Sequence, residues 1–189
     1  RGEAPARFGR AVESVLARLG MNAARFEAEI APLGQLAPSG ADTVRFLFDA
    51  NGGEHVVLQP LEKVASGGET SRVMLALKSI VARSTQLPTI IFDEIDTGVS
   101  GRVAAITGDI IAELSRTMQV INITHLPQVA SKGDTHFFVY KEATPDGNAT
   151  RIRRLSREER VVEIAKMLSG DTVTPAAMAQ ARELLGYTE

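Results

Sequence analysis

Apolar residues at the start of the chain recur with helical spacing. In RFGRAVESVLARL (7–19), Val12, Val15, Leu16 and Leu19 fall at i, i+3, i+4 and i+7, the one-sided stripe of an amphipathic helix, and Gly20 is placed to stop it. The period then changes to two. FEAEI (26–30) alternates apolar and polar positions, and TVRFLFDA (43–50) sets Val44, Phe46 and Phe48 against Arg45 and Asp49 before Asn51-Gly52-Gly53 breaks the run. The front third therefore reads as a helix followed by a small antiparallel sheet.

From Ser66 the pattern becomes alternating helix and strand. It predicts a helix at 69–83, a buried strand at 88–93, a helix at 101–115 and a second buried strand at 118–124 (MQVINIT). Strands that are apolar without alternation, separated by helices, predict parallel strands covered on both faces. THFFVYKE and ATRIRRL flank Pro145-Asp146-Gly147 as a hairpin near the sheet's edge. Ser156 with Glu159 three residues on forms a capping box for a helix ending before Gly170, and Thr174-Pro175 opens another that ends before Gly186. No internal repeat is present.

Composition narrows the class. The 189 residues suffice for one core or for a domain with an appendage, and 44% hydrophobic with 23% charged residues describes a globular chain. The longest uncharged apolar stretches, such as LPTIIF, are far short of the roughly 20 residues of a membrane helix, so no membrane span is expected. A formal net charge of −2 gives no bulk attraction to nucleic acid, so any such contact must be local. The absence of cysteine excludes disulfides and thiolate metal sites and suits a reducing, cytoplasmic compartment. The chain opens on Arg1 with neither an initiator Met nor a signal-peptide pattern, which reads as an excised fragment.

The stretch TIIFDEID (89–96) ends an apolar strand in two adjacent acids, Asp93 and Glu94, where charge is expensive to bury. Ligands sit at the carboxyl ends of parallel strands, so one reading gives Asp93 to Mg²⁺ and makes Glu94 the base for an attacking water. The other reading has one acid capping the next helix and one solvated. Ser66-Gly67-Gly68-Glu69 stands before a helix: it can cradle an anion on bare N–H groups, or it can serve as an N-cap with a tight turn. His125 ends the second buried strand, either as a structural residue or in one layer with Asp93.

Taken together, ASGGETSR (65–72), TIIFDEIDTGVSG (89–101) and ITHLPQVAS (123–131) resemble the signature motif, the Walker B strand with its D-loop, and the switch histidine of the ABC ATPases. Within that superfamily, DEIDTGVSG and THLPQVA are similar to the SMC-like DNA-repair ATPases of bacteria, over roughly Gly40 to Leu185. No Pro follows the acidic pair, as it does in transporter subunits, and no Leu-Asp ends the D-loop, as in SMC heads. The signature begins with Ala65 in place of Leu, Thr70 follows Glu69, and no G-x-x-x-x-G-K-[ST] occurs anywhere in the chain.

The resemblance implies an α/β fold: the carboxy-terminal lobe of an ABC-type P-loop ATPase head, with a mostly parallel sheet flanked by helices. Residues 1–20 would be the stub of a coiled-coil arm and 21–189 the lobe, completed by an amino-terminal lobe that carries the missing phosphate loop. It further implies ATP bound between two heads of a homodimer. Ser66, Gly67, Gly68 and Glu69 would close over the γ-phosphate, Asp93 would hold Mg²⁺, Glu94 would activate water and His125 would sense the γ-phosphate. Asp96 and Ser100 would lie near the dimer seam and its nucleotide. The activity implied is that of a nucleoid-associated ATPase acting on DNA in recombinational repair of double-strand breaks. A transporter's ATP-driving subunit and a non-catalytic module that kept the fold are the rivals. Arg151, Arg153, Arg154 and Arg157 form a basic cluster that either guards an edge strand or touches DNA phosphates, while His55 and His136 have no assigned role.

Overall fold

A computed structural model describes residues 3–38, 40–53, 56–63, 67–144, 147–170 and 172–187. Helix α1 (Ala4–Arg18) begins three residues before the periodic stripe, with Pro5 in its first turn, where a missing N–H costs nothing. Val12, Leu16 and Leu19 are wholly buried. Gly9 lets the helix lie directly on the sheet, since a Cβ there would come within 2.8 Å of the Phe26 carbonyl oxygen. Strands β1 (Arg25–Ala37) and β2 (Gly40–Asp49) pair antiparallel with Phe26 opposite Phe48, and a two-residue strand β3 (Gln59–Pro60) joins the edge of β2. Both long strands exceed the stretches that alternation marks, because β1 continues through Pro32 and the irregular register between Pro32 and Ala37. Asp49 closes the following turn by accepting from the N–H groups of Val57, Asn51 and Gly52. These bonds, that from Val57 foremost, hold its carboxyl below the usual range.

Helix α2 (Gly67–Thr85) leads into the parallel pair β4 (Thr89–Asp93) and β5 (Gln119–Ile123), with α3 (Gly101–Ser115) as the crossover and the register running from Thr89↔Gln119 to Asp93↔Ile123. These elements agree with the predicted segments to within two residues. Phe92, wholly buried, sits among Leu75 of α2 and Ile110 and Leu114 of α3. The other face of the pair is bare. Ile91, Ile121 and Ile123 are 58%, 45% and 52% exposed, and no element among the described residues covers them. Two-sided apolar strands predict two-sided burial; here the helices of this chain cover one side.

After β5 a short helix α4 (Pro127–Ala130) turns the chain, and β6 (Phe137–Thr144) and β7 (Gly147–Arg154) form the expected hairpin as a separate two-stranded antiparallel sheet. Helices α5 (Arg157–Ser169) and α6 (Pro175–Leu184) pack on each other through Val161, Ile164, Ala165, Ala177 and Ala181. The capping box is present in full: Ser156 accepts from the Glu159 N–H and the Glu159 carboxylate accepts from the Ser156 N–H. The fold is α/β, a parallel pair with helices beside small antiparallel sheets; among the described residues the parallel part is the pair β4–β5.

Candidate active site at the strand ends

Parallel pairing of β4 with β5 sets the site. Asp93 lies opposite Ile123 at the last position of the ladder, and the Glu94 N–H donates to the Ile123 carbonyl at 3.0 Å, which carries the pairing one residue further. His125 follows two residues after Ile123, so Asp93, Glu94 and His125 emerge from one end of two adjacent strands. All three are exposed. Among the described residues, neither carboxylate forms an ion pair with a basic side chain. Glu94 adopts φ +46°, a left-handed conformation uncommon outside glycine, and strain of this kind concentrates at functional positions.

The loop from Glu94 to Ser100 is folded on itself. The Thr97 N–H and hydroxyl both donate to the Glu94 carbonyl, and the Val99 N–H donates to the Asp96 carbonyl. Gly98, at φ +77°, lies against the start of α2: a Cβ on Gly68 would meet the Gly98 carbonyl oxygen at 2.6 Å, and a Cβ on Gly98 would meet the Gly68 nitrogen at 2.9 Å. The loop after β4 and the Gly67-Gly68 helix start are thus in backbone contact, which only glycine on both sides permits. Arg72 donates to the Gly68 carbonyl and to the Leu19 carbonyl, tying the first turn of α2 to the end of α1. Glu69 is partly buried in that turn. Ser66 lies outside the described residues. Ser100 is exposed and N-caps α3 by its backbone conformation, with no side-chain capping bond.

Asp96 is placed differently from the other acids. It is 1% exposed, and its Oδ2 accepts a hydrogen bond from the Thr124 hydroxyl, so it presents no surface to a nucleotide. No group of three or more acid or His side chains that could hold a metal occurs among the described residues. One exposed carboxylate at a strand end still fits Mg²⁺, which keeps several waters and takes one or two carboxylates together with substrate phosphates. A surface cavity of about 640 Å³ lies elsewhere, between Asp134, Arg154, Arg157, Arg160 and Tyr187.

Sequence reasoning missed the Gly68–Gly98 contact, the Asp96–Thr124 bond and a role for His136. Asp96 and Thr124 are 28 residues apart, and only the parallel register brings them together. His136 proves structural. It is half-buried, its Nε2 lies 3.3 Å from Arg160, and burial first, then the Arg160 charge, push its pKa down.

No family model matches the chain. The DNA repair protein RecN of Bacillus subtilis is 50% identical over 151 residues, covering 80% of this chain and 26% of that protein. RecN of Treponema pallidum is 42% identical over 184 residues, covering 94% and 32%. Among solved structures, an Smc head domain with coiled coil and joint from Pyrococcus yayanosii has a TM-score of 0.65 at 22% identity, covering 86% of this chain and 29% of that one. A chain from a study of ATP-driven dimerisation and DNA-stimulated activation of SMC ATPases has a TM-score of 0.60 at 19% identity, covering 87% and 93%. The chain spans about a quarter to a third of the length of its curated relatives. It is a RecN-family sequence over the part of those proteins that it spans, with the fold of an SMC head.

Proposed function

We propose that this segment supplies the hydrolytic edge of an ATPase head in a complete SMC-like protein that acts in recombinational repair of DNA double-strand breaks. The observation that carries the reading is the emergence of Asp93, Glu94 and His125 from adjacent parallel strand ends, without basic partners among the described residues. Two uncompensated acids suit a place where a cation and a polarised water belong. Glu94 would take the proton of the attacking water, and His125 would meet the γ-phosphate from the next strand. Asp93 would help hold Mg²⁺, which when bound neutralises charge developing on the phosphates. Ser66, Gly67, Gly68 and Glu69 would close over the γ-phosphate of ATP held by a second head, making nucleotide the adhesive of a dimer.

The bare face of β4–β5 supports the expected partner lobe. Ile91, Ile121 and Ile123 are apolar residues on a sheet face that this chain leaves uncovered, and an amino-terminal lobe carrying a phosphate loop would bury them. Lacking that loop, this chain alone would not turn over ATP. Residues 1–20 are proposed as the junction with a coiled-coil arm and 21–189 as the lobe proper, although α1 itself packs into the core. A cytoplasmic, nucleoid-associated location would follow from acting on DNA. The RecN relatives favour this reading over a transporter subunit.

The test is Glu94→Gln in the complete protein. The amide keeps the shape and cannot accept a proton, so turnover should fall by roughly 10²- to 10⁴-fold. ATP should still bind, and an ATP-bound dimer should accumulate in sedimentation experiments. Near-normal phosphate release would remove Glu94 as the base.

A further inference from the structure

The loop after β4 contains a buried acid that the scheme above leaves without a task. Asp96 is among the few wholly buried polar side chains, and no basic group pairs with it among the described residues. Its carboxylate is not spent on its own loop: the Val99 N–H goes to the Asp96 backbone carbonyl, and Ser100 caps α3. Oδ2 instead accepts from the Thr124 hydroxyl on the neighbouring strand end, while Oδ1 has no partner among the described residues. The Thr124 oxygen in turn accepts from the Leu126 N–H at 3.0 Å. One hydroxyl therefore spans His125, tied forward to the residue after it and sideways to Asp96.

A buried carboxylate with one oxygen unsatisfied is costly, and an apolar residue of similar size would avoid the cost. What Asp96 provides is direction. As an acceptor only, it fixes where the Thr124 hydroxyl points its hydrogen, and so leaves the oxygen's lone pair toward Leu126. The geometry points to Asp96 as a positioning residue for His125: through the Thr124 hydroxyl it holds the backbone turn that carries the imidazole beyond the end of β5. Because the same loop is seated on Gly68 through Gly98, the turn bearing His125 is referenced to the start of α2 as well as to β4. The inference rests on the assignment of His125 to the γ-phosphate made above.

Thr124→Val in the complete protein keeps the side chain's shape and removes the hydroxyl. Turnover should fall on the order of 10- to 100-fold, the size of effect that a small misplacement of a reacting group produces. KM for ATP should stay unchanged, and Thr124→Ser should restore turnover. Without nucleotide, the Leu126 amide should exchange with deuterium faster in Thr124→Val than in the parent and return to the parent rate in Thr124→Ser. Should Thr124→Val fail to fold because Asp96 loses its bond, Asp96→Leu combined with Thr124→Val removes both groups and is read in its place, with the same expected loss. Parent-like turnover in Thr124→Val or in the double variant, a KM effect without a kcat effect, or unchanged Leu126 exchange in Thr124→Val overturns the inference. Glu94→Gln, measured alongside, separates the two readings. Normal turnover there removes the hydrolytic assignment and this inference with it, whereas an inactive Glu94→Gln beside a normal Thr124→Val removes this inference alone.

Discussion

The β4–β5 strand ends and the β6–β7 hairpin both present charge at a sheet margin, and they handle it in opposite ways. On the hairpin the chain neutralises its own charges: Arg151 pairs with Glu142 across the strands at 2.8 Å, and Arg153 pairs with Glu159 at 2.6 Å. Arg157 lies over the Tyr187 ring, 4.3 Å from its centroid. At the strand ends, Asp93 and Glu94 stand adjacent and, among the described residues, without such partners, and Glu94 holds a strained backbone angle. Charge that a chain compensates locally is explained by the chain. Charge left uncompensated on a strained backbone is the feature on which the roles proposed for Asp93 and Glu94 rest.

The packing beneath the two regions differs as sharply, and that gives the largest expected effect. Phe92 anchors β4 to α2 and α3, so Phe92→Ala should cost about 3 to 5 kcal/mol of stability. Val139 on the hairpin is 59% exposed, and Val139→Ala should change stability by no more than about 0.5 kcal/mol. Chemical denaturation of both variants checks this. Similar losses would mean that the hairpin is as firmly packed as the strand ends and would break the contrast.

Much of this architecture is legible in the sequence because its causes are local. The stripe of Val12, Leu16 and Leu19, the Ser156–Glu159 box and the two apolar strands each follow from spacing alone. Asp93 and Glu94 are legible for the same reason, as acids ending an apolar run. What is not legible depends on long-range register. Nothing near Asp96 in the sequence indicates Thr124, and nothing near Gly68 indicates Gly98, since both contacts exist only once β4, β5 and α2 are assembled. The bare side of β4–β5 is hidden for another reason. A strand's apolarity shows that both faces are to be buried, but not whether the covering layer belongs to the same stretch of chain.

A smaller effect, in pH, sharpens the comparison from the hairpin's base. His136 sits at the entrance to β6, and burial together with the Arg160 charge lowers its pKa in the folded protein. The unfolded chain, with His near its ordinary value of 6.5, therefore binds the proton more readily. Stability from this group is fully present above that value and is lost as pH falls through it toward the lowered folded value. Melting temperatures from pH 7.5 down to about 5.5, an interval just spanning the ordinary histidine value, should fall more in the parent than in His136→Gln. Equal slopes would show that protonation of His136 is not coupled to folding.

The smallest effect tests the claim that the hairpin's charges are satisfied where they lie. Arg151 and Glu142 are each about half exposed, so water competes for both and salt screens their attraction. A double-mutant cycle of Arg151→Ala and Glu142→Ala should give a coupling of about 0.2 to 1 kcal/mol, shrinking with added salt. DNA affinity of the complete protein should not change in Arg151→Ala, because a guanidinium engaged by a neighbouring carboxylate has less to offer a phosphate. A measurable loss of affinity, with the dependence of log K on log salt reduced by about one, would instead count Arg151 among the phosphate contacts. The basic cluster would then join the strand-end acids as charge directed at a ligand, and the contrast between the two margins would reduce to one of sign.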